Sequence, residues 1–215
     1  MGVQPYSFLL WSVCIGFAGL CVATRQSSRW IATAVTKMTA STAFVAIALI
    51  NGALDTDYGV LVLAALVFSW FGDLFLLSER YTFVLGGIAA FFLAHVAFAA
   101  AFSRLFLDIE NLTFALAVLL AVGLAILWWL WRHLSGLYRA AVPAYLIAIV
   151  AMSSLAIAAN RSPTLPLAAG AILFAISDVT VAEDRFIKPG RTTAWGLPLY
   201  YLAQLLLAGS VIAVR

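Results

Sequence analysis

Apolar runs of roughly twenty residues, each closed by a short polar connection, follow one another along the whole chain. Eight can be marked: Pro5–Thr24, Trp30–Ile50, Tyr58–Leu77, Thr82–Phe102, Leu112–Trp131, Ala141–Ala159, Leu165–Ala182 and Ala194–Val214. The connections read RQSSR, NGALDTD, SERY, SRLFLDIEN, RHLSGLYR, NRSPT and EDRFIKPGRT. About 20 mostly apolar residues are enough to cross a bilayer as a helix. Barrel strands would instead alternate apolar and polar positions. The pattern therefore predicts an all-α membrane protein with eight transmembrane helices, forming a single transmembrane domain over residues 1–215.

Composition agrees and excludes most other classes. The chain is 65% hydrophobic and only 10% charged, whereas soluble domains carry about 25% charged residues. Nothing in the modest formal charge of +3 points to nucleic acid. Where the cations fall is more informative. The connections after runs one, three, five and seven hold Arg25, Arg29, Arg80, Arg132, Arg139, Arg185, Lys188 and Arg191, against Arg104, Arg161 and Arg215 on the other side. Eight against three predicts non-cytoplasmic termini by the positive-inside rule. Trp128, Trp129 and Trp131 then fall where an aromatic belt is expected. No Lys or Arg precedes the first run and no A-x-A site directly follows it, so a retained first span is expected; the expected setting of such a multispan chain is a bacterial inner membrane. Cys14 and Cys21 share a helix face as small packing residues, and no Cys/His spacing suggests a metal or other cofactor.

The polar residues inside the apolar runs carry the candidate chemistry. FSWFGDLFLLSERYTFVLGGIAAFFLAH (68–95) places Asp73 in an apolar run, turns at Glu79 and Arg80, and leads to His95. LFAISDVTVAEDRF (173–186) repeats the device around Asp178, 105 residues later. Four runs separate the copies, an even number, which predicts two parallel repeats, 1–104 and 105–215. An ionisable residue in a span is a functional-site hypothesis by default. At 1.5 Å per residue, Asp73 and Asp178 lie about 6 Å from the cytoplasmic end of their runs and His95 about 19 Å. Lys37, Tyr200, Tyr201 and Gln204 fall in the same half, and Ser69 is one turn from Asp73 on its face. Plainer readings stand beside these. The Asp residues would mark helix ends, Lys37 would snorkel, and His95 would bond a backbone carbonyl. Tyr200 and Tyr201 would pack, and Glu79, Arg80, Glu183, Asp184 and Arg185 would form a solvated loop face, with Arg80 or Arg185 meeting a lipid phosphate as the functional variant.

The motifs FGDLFLL (71–77), GGIAAFFLAH (86–95), LFAISD (173–178) and LPLYYLAQLLLAG (197–209), with Lys37, resemble the YhhN-type lysoplasmalogenase family of multispan membrane proteins. Met38 stands where that family usually has Pro. The resemblance implies hydrolysis of the vinyl ether bond of a lysophospholipid, releasing a fatty aldehyde and glycerophosphoethanolamine or glycerophosphocholine, with membrane lipids as the surroundings. That chemistry wants one protonated and one ionised carboxyl group. Asp73 and Asp178 are the expected acid/base pair, their roles unassigned. His95 and Tyr200 would orient water or the ether oxygen, and Lys37 would tune a carboxylate or bind phosphate. Tyr201, Gln204 and Ser69 complete the expected substrate site. The rival reading is a small proton-coupled transporter built from parallel repeats.

Overall fold

The computed structural model describes residues 5–26, 30–159, 164–188 and 195–214. Among these it forms α1 (Pro5–Gln26), α2 (Trp30–Ile50), α3 (Asp57–Phe75), α4 (Tyr81–Phe102), α5 (Ile109–Trp131), α6 (Tyr138–Ala158), α7 (Thr164–Ala182) and α8 (Gly196–Val214), with a π-helical turn at Glu183–Ile187. Seven of the helices are long and apolar enough to cross a membrane, and the described part of α1 is a shorter apolar stretch, Leu9–Thr24. The chain is an all-α, multi-pass integral membrane protein. Of the loop cations, Arg25, Arg29, Arg161, Arg191 and Arg215 lie outside what is described of side chains.

Local chemistry sets the helix ends. Gly52, at φ 82°, closes α2 in the left-handed conformation. Its amide donates to Leu49 O at 3.0 Å and that of Ala53 to Ala48 O at 3.0 Å, satisfying two carbonyls a helix end leaves bare. Thr56 and Asp108 cap α3 and α5 by accepting from the amides of Gly59 and Asn111, each at 3.0 Å. The Asp108 cap explains why α5 starts at Ile109, three residues before the apolar run. α6 likewise starts at Tyr138, so Pro143 lies inside the helix rather than at its start.

Sequence neighbours pack as antiparallel pairs, α1 on α2, α3 on α4, α5 on α6 and α7 on α8; α4 also packs on α6 and α2 on α8. The core is an aromatic and aliphatic cluster including Phe44, Ile47, Leu66, Phe98, Phe102, Phe174 and Leu207. Cys14 and Cys21 are buried on α1, Cys14 donating to Ala40 O of α2 at 3.4 Å and Cys21 to Thr33 O at 3.8 Å. α5 buries only Ala115, Gly123 and Leu130, and Trp128, Trp129 and Trp131 are exposed at its end. Its thin attachment leaves a cavity between α5, α6 and α7.

Candidate functional site

Lys37 and Ser41 are one turn apart on α2 and so share a face. Both meet Asp73 in the last turn of α3. Lys37 Nζ lies 3.1 Å from Asp73 Oδ1 and also donates to the backbone oxygen of Asp73 at 3.1 Å. That carbonyl sits where a helix end leaves acceptors without an intrahelical partner. Ser41 Oγ and Tyr200 OH donate to Asp73 Oδ2 at 2.6 and 2.7 Å. Tyr201 OH donates to Lys37 O at 3.0 Å, tying α8 to the same turn of α2. Asp73 is 2% exposed. Lys37 is thus turned inward onto a carboxylate instead of extending to the surface, and Asp73 is interior although it lies near a helix end.

Asp178 has a different partner set. Tyr145 OH of α6 donates to Asp178 Oδ2 at 3.0 Å. His95 Nε2 of α4 lies 3.2 Å from the same oxygen without aligning as a hydrogen bond. The other ring nitrogen, Nδ1, is 2.8 Å from Phe91 O. A carbonyl oxygen only accepts, so Nδ1 carries the proton of the neutral ring and Nε2 is its lone-pair nitrogen. The imidazole is wedged between Phe174 and Tyr145, at centroid distances of 4.4 and 5.1 Å.

Among the described residues no hydrogen bond or ion pair joins Asp73 to Asp178. Tyr200 lies between the two centres. It donates to Asp73 and packs edge-on against Phe174 and Phe91 at 5.6 and 5.8 Å, Phe174 in turn lying against the His95 ring. Ser69 and Gln204 are fully buried and bonded to each other at 3.3 Å; they back the site without reaching its cavity. His95 and Tyr200 are 105 positions apart, the same interval that separates Asp73 from Asp178.

Both carboxylates open on one cavity of about 380 Å³. Lys37, Asp73, Tyr145, Asp178 and Tyr200 give it a polar wall, and Leu119, Val122, Ile126, Ile149, Ile172 and Ile176 make the rest apolar. From Leu130 to Leu119 the α5 wall runs about 16 Å at 1.5 Å per residue. Asp184 and Arg185, half-buried in the π-turn after α7, line it too. Among the described residues no three His, Cys, Asp or Glu side chains are grouped to hold a metal ion.

Two expectations from the sequence need correction. Depths counted from the run ends separate His95 from Asp178 by about 13 Å along the helices, yet the two touch. The helical path of α7 continues past Ala182 through the π-turn, where Lys188 N bonds Glu183 O at 2.9 Å, so Asp178 is further from the end than the apolar run implied. For the same reason Glu183, Asp184 and Arg185 are helical and half-buried, not a solvated loop. Glu79 and Arg80 do lie in an exposed connection, so the charged turn is not repeated in structure. Ser41 and Tyr145 were missed. Ser41 was within reach of sequence reasoning, one turn from Lys37; Tyr145 carried no signal beyond being polar in an apolar run.

The YhhN family model matches residues 32–211, a stretch that contains every side chain of both carboxylate centres. The chain belongs to the YhhN family. Among curated relatives, bovine lysoplasmalogenase TMEM86A is 34% identical over 163 residues, covering 72% of this chain and 66% of that protein. Human lysoplasmalogenase TMEM86A is 31% identical over 162 residues, with the same coverage. A lysoplasmalogenase of Mycobacterium bovis is 33% identical over 143 residues, covering 64% of this chain and 53% of that protein. The match thus spans just under two thirds of the mammalian relatives and about half of the mycobacterial one. No solved structure matches the chain.

In this YhhN-family chain, Gly72 is what lets α4 approach Asp73. A Cβ there would stand 2.6 Å from the Phe91 ring, and Phe91 is held against Tyr200 and Phe174. Gly72→Ala should cost about 1–3 kcal/mol as an overpacking change, seen as a lower unfolding midpoint in detergent. An unchanged midpoint would show that the α3–α4 contact has slack.

Proposed function

We propose that this chain is a membrane hydrolase that cleaves the vinyl ether bond of lysoplasmalogens. It yields a fatty aldehyde and glycerophosphoethanolamine or glycerophosphocholine, with Asp178 as general acid and Asp73 as the ionised partner. The observation that carries this reading is that two carboxylates with opposite surroundings open on one long apolar cavity. Asp73 accepts from an ammonium and two hydroxyls, a donor set that suits the anion. Asp178 instead accepts from a single hydroxyl, that of Tyr145, and faces the lone-pair nitrogen of His95. Two acceptors in such contact repel unless a proton lies on one of them, so this dyad holds a proton to give. The names of the mammalian and mycobacterial relatives supply the substrate class.

The steps balance without a cofactor. The Asp178–His95 dyad delivers its proton to the alkenyl carbon one removed from the ether oxygen, and the double-bond electrons form that C–H bond. The resulting oxocarbenium cation is stabilised by the Asp73 carboxylate. Water adds to the carbon bearing oxygen while Asp73 takes its proton. The hemiacetal then collapses: its hydroxyl proton passes to the glycerol oxygen as the C–O bond breaks, and aldehyde leaves. Tyr200, between the centres, returns the proton from Asp73 toward Asp178.

The reading extends to architecture. Eight transmembrane helices would form two parallel repeats, 1–104 and 105–215, with both termini non-cytoplasmic. Its support is that the packings α2–α3, α3–α4 and α2–α8 have counterparts in α6–α7, α7–α8 and α6–α4. In addition, His95 and Tyr200, each from one half, reach the Asp of the other half at a shared interval. On this reading Tyr201, Ser69 and Gln204 brace the pocket and Lys37 holds Asp73 ionised.

The test is aldehyde release by the purified protein in lipid vesicles, from a lysoplasmalogen and from its saturated-ether analogue. Aldehyde from the first only, slowed in deuterated water because carbon protonation is rate-limiting, is expected. No aldehyde above empty vesicles would sink the reading.

A further inference from the structure

Two cations line the cavity, and only one has a partner. Lys37 is held by Asp73. Arg185 lies on the wall in the π-turn after α7, and among the described residues it makes no hydrogen bond or ion pair. The other described cations near this end are occupied or off the wall. Lys188 pairs with Glu183 at 2.8 Å. Arg139 donates to Leu134 O at 3.1 Å and covers the Trp131 ring. Arg80 and Arg132 are exposed and do not line the cavity.

From these observations we infer that Arg185 is a phosphate-binding residue, holding the headgroup phosphate of a single-chain ether phospholipid at the cavity mouth. A guanidinium presents planar paired donors that match phosphate oxygens, and on a low-dielectric wall an anion there gains more than in water. The spacing also fits. Arg185 lies seven residues beyond Asp178, a rise of about 10 Å. In an extended lysolipid the phosphorus is about 7 Å from the first alkenyl carbon at single-bond lengths near 1.5 Å. Phosphate on the guanidinium therefore brings the vinyl ether level with Asp178 and sends the chain along the apolar wall. Asp184 lies on the same wall, which keeps the phosphate on the guanidinium side. Tyr138 stacks edge-on with Tyr81 at 5.8 Å and, at 5.0 Å, with Phe186, the residue after Arg185 and itself part of the cavity wall, an aromatic shelf beside the mouth.

The identity of the lipid rests on the hydrolase reading, so the test measures binding rather than turnover. Detergent-solubilised full-length protein is titrated with a saturated-ether lysophospholipid and with the alkylglycerol of the same chain, which lacks the phosphate. Wild type should bind the phosphate-bearing lipid at least about tenfold more tightly. Arg185→Gln should lose that preference while binding alkylglycerol as before, which also reports that it is folded, and Arg185→Lys should keep part of it. Equal weakening for both lipids, no weakening, or no preference in wild type would each overturn the assignment. Inorganic phosphate is the third probe: binding as tight as the lysolipid's, and dependent on Arg185, would make this a free-phosphate site and overturn the lipid assignment. Arg185-dependent lipid binding without aldehyde release would retain this site and reject the hydrolysis; aldehyde release with an indifferent Arg185 would do the reverse.

Discussion

Asp178→Asn should lower aldehyde release from lysoplasmalogen by about 10³-fold, within the range general-acid catalysis contributes, and leave the protein folded. The expectation follows from geometry around one oxygen. An Asn amide N–H in place of Asp178 Oδ2 can donate toward His95 Nε2, 3.2 Å away, and gives up only the bond that this oxygen accepts from Tyr145. The contact with His95 becomes a hydrogen bond and one tyrosine bond is lost, a small change for the fold, but the side chain no longer carries a proton that it can give to carbon. The measurement is kcat on the purified variant beside its unfolding midpoint. A variant keeping more than a tenth of wild-type kcat would remove Asp178 from the proton-transfer step, and a collapsed midpoint would assign it a structural role instead.

Asp73→Asn should damage stability and activity together, and the two effects should separate in a double variant. The substitution leaves the Lys37 ammonium, whose side chain is 12% exposed, in the interior without a counter-charge. Removing one member of a buried pair costs about 3–5 kcal/mol, and the lower end is expected because the lysine stem can extend toward the surface. Lys37→Met combined with Asp73→Asn removes both charges and should regain most of that loss, since apolar replacements of buried pairs are often neutral. Activity should not return, because the anion that stabilises the cationic intermediate is still missing; a deficit of about 10²-fold or more is expected for such electrostatic stabilisation. Recovery of aldehyde release in the double variant would show that Asp73 only neutralises Lys37. A double variant no more stable than Asp73→Asn would show that the ion pair does little for the fold.

The helices were legible because their signal is local. A run such as Tyr58–Leu77 has few alternatives in a bilayer, where each backbone group must bond within its own segment. The helix ends were less so. α5 began early because Asp108 caps it, a signal present in the sequence. α7 ran on because its charged residues adopt a π-turn, which hydropathy does not register. Asp73, Asp178, His95 and Lys37 stood out because a polar group in hydrocarbon is costly unless paired. Tyr145 did not, since a tyrosine in a span has ordinary reasons to be there.

What the sequence determined by itself was the number and extent of the apolar runs, the presence of intramembrane ionisable residues, and the interval of 105 that relates them. Those properties depend on composition and spacing along one strand of chain. Which partner each acid has was decided only by the tertiary structure. Lys37, Ser41 and Tyr200 reach Asp73 from α2 and α8, while Tyr145 and His95 reach Asp178 from α6 and α4. Two aspartates identical in sequence terms become chemically different because interhelical packing, which no local pattern encodes, gives one an ammonium and two hydroxyls and the other one hydroxyl and a lone pair.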